Sequence, residues 1–220
     1  MTRMTPPLEP ELPMAGALAE GDLPAMATLL MQARQTILPR RLGGAGPDAG
    51  QLQQILLAAS AAPDHGQLLP WRFVLVPQNA RQRLAEVFGQ ALLERDSAAT
   101  PEQLAQACEK AHRAPLLMLA VVDGRRGDLK IDLFERLTSA GCAVQNMLLM
   151  ATAMGYGSAL TSGKALKSAG LRQLFGLEEG EHALCFISMG TAQSRKPAHQ
   201  RPAPRDYVSI LSPEGGKSSF

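Results

Sequence analysis

Three short stretches hold residue types able to do chemistry. Arg40 and Arg41 stand side by side where a predicted helix ends, and they open a glycine loop, RRLGGAGPDAG. Adjacent guanidinium groups can clamp a phosphate through charge-assisted, bidentate hydrogen bonds. The same pair also suits a solvated helix C-terminus, where the helix dipole favours cations. Arg195 and Lys196 follow a predicted buried strand and offer a second clamp of this kind, or a solvated basic exit. The stretch APDHGQLLPWRFVLV places His65, Trp71 and Arg72 on one corner, and Trp71 is the chain's only tryptophan. An imidazole on a turn can contact a polar ligand or simply hold the turn. Trp71 reads as a core anchor at a strand start. Ser162 and Gly163 can present a hydroxyl and a backbone N–H just past a long apolar helix.

Other chemistries lack their residues. There is no G-x-S-x-G, no H-E-x-x-H, no P-loop, and no G-x-G-x-x-G after a strand. The four histidines, at 65, 112, 182 and 199, have no metal-ligand spacing. An enzyme built this way leaves the hard chemistry to a bound cofactor. A net charge of +2 with no basic block gives no reason to expect nucleic acid. Cys108, Cys142 and Cys185 are odd in number and form no C-x-x-C, which suits buried thiols in a reducing compartment. The N-terminus lacks the basic start and apolar run of a secretory signal, and the apolar segment 140–154 is short of the roughly 20 residues that cross a bilayer. The expectation is a soluble, cytoplasmic protein.

These residues need elements to position them. Residues 1–24 are rich in Pro, Glu and Gly and read as a flexible arm, and 213–220 as a flexible tail. Between them, 25–212 reads as one domain, since about 250 residues still fit a single core. Apolar spacing predicts helices over 25–38 and 51–61, with Met26, Leu29, Leu30 and Ala33 forming the face of the first. A strand over 72–76 follows the corner. Further helices run over 79–94 and 100–112, the second started by Thr100-Pro101. PLLMLAVVD and HALCFISMG are near-continuous apolar strands, expected to be buried on both faces. Between them lie a long helix through 138–154 that is apolar almost all round, a short extended SALTSG, and a helix over 164–175. Few strands among many helices, irregularly alternating, give an α+β layered fold.

In order, RR, QLQQILLAASAAPDHGQLLPWRFVLV, RAPLLMLAVV, SAGCAVQNMLLMATAMGYGSALTSG and CFISMGT resemble the FMN-dependent nitroreductase family, in its short bacterial branch, over about residues 27–210. That resemblance implies a small central mixed sheet flanked by helices. It also implies an intertwined homodimer with FMN in two sites at the subunit interface. The family's Arg-Arg-Ser flavin motif corresponds to Arg40, Arg41 and Leu42, and His65 to a histidine that reaches the partner's FMN. Trp-Arg-Ser corresponds to Leu160, Thr161 and Ser162, Arg195 to a phosphate-side cation, and 150–155 to the face toward NAD(P)H. The chain departs from the family where Leu42 replaces a hydroxyl, and where Ala61 and Thr161 replace cations. Losing positive charge near the flavin should lower its potential or weaken its binding. The implied activity is ping-pong: NAD(P)H reduces the flavin, leaves, and a nitro compound or quinone-like acceptor is reduced in its place. No side chain is required as a catalytic acid or base. Three alternatives stay open: another flavin reaction such as dehydrogenation or enone reduction, a flavin-binding or regulatory dimer with little turnover, and a dimer that has lost FMN.

Overall fold

The computed structural model describes residues 22–195, 197 and 200–219. In chain order its elements are α1 (Asp22–Ala33), β1 (Leu42–Gly43), α2 (Ala49–Ala59), β2 (Trp71–Leu75), α3 (Arg81–Leu93), α4 (Pro101–Glu109) and β3 (Leu116–Asp123). There follow α5 (Leu133–Ala153), β4 (Gly157–Thr161), α6 (Ala169–Leu174), β5 (Glu181–Ala192), β6 (Ser209–Leu211) and β7 (Lys217–Ser219).

The two apolar runs form β3 and β5, which pair antiparallel at the centre of the main sheet, with β2 beyond β3 and β4 on the far side of β5. β1 adds two residues at the end of β5, pairing Leu42 with Ala192. Among the described residues one parallel contact joins this antiparallel array, an isolated bridge from Thr36 to Ser158 at the β4 edge. Successive strand side chains point to opposite faces. Met118, Ala120, Ile187 and Met189 therefore meet Ile55 of α2 and Met147 of α5 on one side. Leu117, Leu119, Val121 and Phe186 meet Leu84 of α3 and Leu171 of α6 on the other. The result is the expected α+β layering, with a helical layer on each face.

Local chemistry explains most boundaries. Thr100 accepts from Gln103 N while the Gln103 side chain accepts from Thr100 N, so α4 starts where its capping box lies. Asp48 and Gln51 form a second box at α2. α5 begins at Leu133 rather than near Thr138, because Asp132 Oδ1 accepts from Phe134 N and Glu135 N and so caps it earlier. α1 runs from Asp22 to Ala33, where a helix over 25–38 was expected; residues 34–38 leave it to lie along β4, with Ile37 N donating to Ser158 O at 2.9 Å. Of the expected arm, residues 1–21 lie outside the described residues, and 22–24 open α1. The helix expected over 164–175 is a 3-10 turn, Lys164–Lys167, then α6 capped by Ser168. The expected tail supplies β7, which pairs with β6. Cys185 is buried, and burial pushes its thiol up to about 11. Cys108 and Cys142 are half-buried, not fully buried as expected.

Two buried arginines bind loops to this frame without a carboxylate. Arg81 donates to the carbonyls of Val76, Ala111, Ala114 and Pro115. Arg136 donates to those of Ile131, Asp123, Arg126 and Asp128. At Gly190 a Cβ would fall 2.7 Å from the Pro115 ring, so only glycine lets that loop cross the sheet there.

Candidate functional site

The corner around Trp71 is held from several sides. Trp71 Nε1 donates to Ser139 Oγ at 3.1 Å, and its ring lies 5.5 Å from that of Phe73. Arg72 makes a bidentate pair with Glu181 at 2.6 and 2.9 Å. Asp64 Oδ2 accepts from Leu69 N at 2.6 Å across a turn in which Gln67 and Leu69 both have positive φ, 52° and 48°. Left-handed backbone at two non-glycine residues stores strain that the surrounding bonds must hold. The turn presents His65 outward, its Nδ1 2.6 Å from Glu135 Oε2 at the start of α5. The carboxylate accepts the Nδ1 proton and leaves Nε2 facing solvent.

A groove lies elsewhere, along the outer edge of β4. One part, about 490 Å³, is lined by Arg34, Thr36, Ser158, Leu160, Gln145 and Arg201 among others. An adjoining part, about 320 Å³, shares Gln145, Leu148 and Leu160 with it and continues past Val144, Leu184, Cys185 and Ser162. The first part is polar. Arg201 Nη2 donates to the main-chain carbonyl of Arg34 at 3.0 Å, and both residues line this part. Neither forms an ion pair among the described residues. Ser158 is 2% exposed and, among the described residues, its hydroxyl has no partner, and neither has the buried Oε1 of Gln35. A buried polar atom without a partner is costly unless something outside the chain supplies one. The second part is mostly apolar. Gly141 of α5 lines it, and a Cβ there would meet nothing within 4 Å.

The structure divides the residues singled out from the sequence. Leu160 and Ser162 line the groove. Thr161 and Arg40 do not; with Ser162 they line a separate cavity of about 630 Å³ on the α3–α4 side of the sheet. Arg41 is tied by its carbonyl to Gln193 N at 2.9 Å, and Leu42 is buried under the sheet with Ile37. Arg195 Nη2 donates to Gly155 O at 3.3 Å. His65, bonded to Glu135, stands about 9 Å along α5 from Gly141, the first groove residue on that helix, at a rise of about 1.5 Å per residue, and does not itself line the groove. Lys196 and His199 lie outside the described residues. Among those described, no group of three or more His, Cys, Asp and Glu could hold a metal. No helix among them is long and apolar enough to cross a membrane.

Arg34, Thr36 and Arg201 were not singled out from the sequence. One signal existed: Arg34-Gln35-Thr36 has an arginine and a hydroxyl two residues apart, the pattern of Arg-Arg-Ser with its middle arginine replaced. Arg201 gave none. Its place follows from the return of the proline-rich exit to the end of α1.

Comparison with known proteins agrees with this architecture. The model of the nitroreductase family matches residues 31–191. A Haemophilus influenzae protein named "Putative NAD(P)H nitroreductase" is 31% identical over 173 residues, covering 78% of this chain and 93% of its own. Among solved structures, a nitroreductase-like family protein from Bacillus cereus superposes with a TM-score of 0.71 at 16% identity, over 90% of this chain and 98% of its own. A variant of the FMN and NADPH-dependent nitroreductase NfnB from Sphigopyxis sp. strain HMH gives a TM-score of 0.67 at 17% identity, over 84% and 99%.

Proposed function

On the premise that the chain belongs to the nitroreductase family and is an oxidoreductase, we propose that it is a flavoenzyme that uses FMN to carry hydride from NAD(P)H to an electron-poor acceptor, a nitro compound or a quinone-like molecule. One observation carries the reading: a groove whose more polar end holds two arginines and a buried hydroxyl that are unpaired among the described residues, and whose other end is walled by aliphatic side chains. That division matches FMN, a phosphate and polyol joined to an apolar tricyclic ring.

Arg34 and Arg201 would hold the phosphate, since two guanidinium groups neutralise a dianion with short charge-assisted bonds. The Ser158 hydroxyl and Thr36 suit the polyol, which can both donate and accept. Val144, Leu148, Leu160 and Leu184 would keep water from the ring, and Ser162 would bound its edge. When bound, FMN supplies the redox chemistry, taking hydride from NAD(P)H and passing it to the acceptor in two successive half-reactions at one place. The chain's own part is orientation and exclusion of water, for which no acid or base is required. His65, held by Glu135 and outside the lining of its own groove, would reach the groove of a second copy. The enzyme on this reading is a cytoplasmic homodimer in which each ring is enclosed by both chains.

The competing assignment gives the phosphate to Arg40 and Arg41. FMN titration of two double variants separates them. Arg34→Ala with Arg201→Ala should weaken FMN by about 100-fold, the loss of two charged hydrogen bonds at about 1.5 kcal/mol each. Arg40→Ala with Arg41→Ala should leave it within about threefold. The reverse order moves the phosphate to the other face. A wild-type preparation that stays colourless after FMN is added ends the flavoenzyme reading.

A further inference from the structure

The 630 Å³ cavity on the α3–α4 side of the sheet is not used by that reading, and its lining has a definite chemistry. Its floor is apolar, from Phe88 of α3, Leu117 of β3, Leu166 and Phe186 of β5. Its rim is cationic: Arg40, Arg95, Lys110, Arg113 and Lys164, with no carboxylate in the lining. Arg113 is answered by Glu109 at 2.6 Å, whereas the other four form no ion pair among the described residues. The volume is in the range of small-molecule sites, which commonly combine an apolar body with a few polar groups that fix orientation. Four unanswered cations over an aromatic and aliphatic floor select by charge and by shape at once.

We infer that this cavity binds an aromatic carboxylate or sulfonate, its ring on the Phe88–Phe186 floor and its anionic group between Arg95 after α3 and Lys110 after α4. Phe88 and Phe186 already meet edge to face, with centroids 5.5 Å apart, and an added ring extends that packing. Gln103 and Gln106 on α4 add donors beside the anion. Ser162 lines both this cavity and the groove along β4, so the bound acid sits one short segment away from the flavin ring proposed there. The site does not depend on the flavin assignment, because none of the residues assigned to the phosphate lines it.

The test uses the protein as purified, with its flavin, and two fluorescent probes of one shape. 8-Anilinonaphthalene-1-sulfonate carries the anion, and N-phenyl-1-naphthylamine lacks it. The wild-type protein should bind the sulfonate at a site from which benzoate displaces it, and added salt should weaken the binding. Arg95→Ser with Lys110→Ser, both exposed positions, should raise the sulfonate Kd about tenfold or more at that site. The neutral probe should change less than about twofold, and FMN content should not change. Lys164→Ser should weaken the sulfonate in the same direction. Equal sulfonate affinity in wild type and double variant overturns the inference, as does a parallel loss of both probes. Loss of FMN in the double variant also overturns it, by assigning the cavity to the flavin.

Discussion

Gly141 stands within a 21-residue helix, where glycine costs about 1 kcal/mol relative to alanine, and it faces the apolar part of the groove. Nothing within 4 Å would obstruct a methyl group. Gly141→Ala should therefore raise the melting temperature of the apoprotein. Gly141→Leu should do the same to the apoprotein yet weaken FMN by about tenfold or more, because the side chain fills space proposed for the ring. Equal FMN affinity in Gly141→Leu and wild type would place the ring elsewhere. Glu181 makes a different argument from one residue. Hydrogen bonding to Arg72 holds its carboxyl below the ordinary value near 4.5, against burial that pushes it up. A carboxylate so depressed contributes stability that is complete above the unfolded value and is lost as pH falls through the folded one. Glu181→Gln should cost about 1–2 kcal/mol at pH 7, discounted for the partial exposure of Arg72. It should also flatten the decline of melting temperature below about pH 4.5. An unchanged acid limb in the variant would deny the pair that role.

At the scale of elements, one side chain gathers the carbonyls of the loop 124–131. Arg136 sends four of its five N–H donors to four carbonyls of that loop and its flanks, and Ile131 packs against the His65 turn at Gly66. Arg136→Met should cost about 3 kcal/mol in urea unfolding, since buried carbonyls lose their donors. Amide exchange should rise across 124–131 while β3 stays protected; uniform exchange would show that the loop does not depend on the clasp. Neither Arg136 nor Arg81 was legible as a clasp, because a buried guanidinium answered only by carbonyls leaves no pattern in sequence. What was legible followed local rules. Thr100-Pro101 marked α4, and the aliphatic runs marked β3 and β5, whose burial needs no partner to be known in advance. The missed pieces were those settled by distant contacts. Residues 34–38 carry helical spacing, yet they leave α1 because β4 offers Ile37 a carbonyl at Ser158. Arg40 and Arg41 read as a clamp from their adjacency, whereas Arg34 and Arg201, 167 positions apart, meet only in the folded chain, and their meeting left no local signal.

For the whole molecule, the apolar surface left outside a single chain is what bears on the proposed dimer. Leu29 on α1 is 69% exposed and Phe134 at the start of α5 is 77% exposed, with Met26, Met31 and Leu160 also open to solvent. The sequence placed Met26 and Leu29 on an apolar face, yet no residue of α1 is buried in one chain. Such surface is ordinarily an interface. His65 adds a functional reason for a second copy, because it does not line the groove of its own chain. If each FMN is enclosed by both chains, flavin binding and association are linked and must strengthen each other by the same factor. A flavin that binds the dimer about 100-fold more tightly than the monomer would lower the dimer dissociation constant roughly 10⁴-fold when both sites fill. Leu29→Glu with Phe134→Glu should shift sedimentation toward monomer and weaken FMN together, and saturating FMN should restore the dimer in part. His65→Ala should weaken FMN by less than the Arg34 and Arg201 pair does, and should reduce the flavin's effect on association. A monomeric variant with full FMN affinity would break the linkage and confine the flavin site to one chain, leaving His65 and Glu135 as a structural pair on the surface.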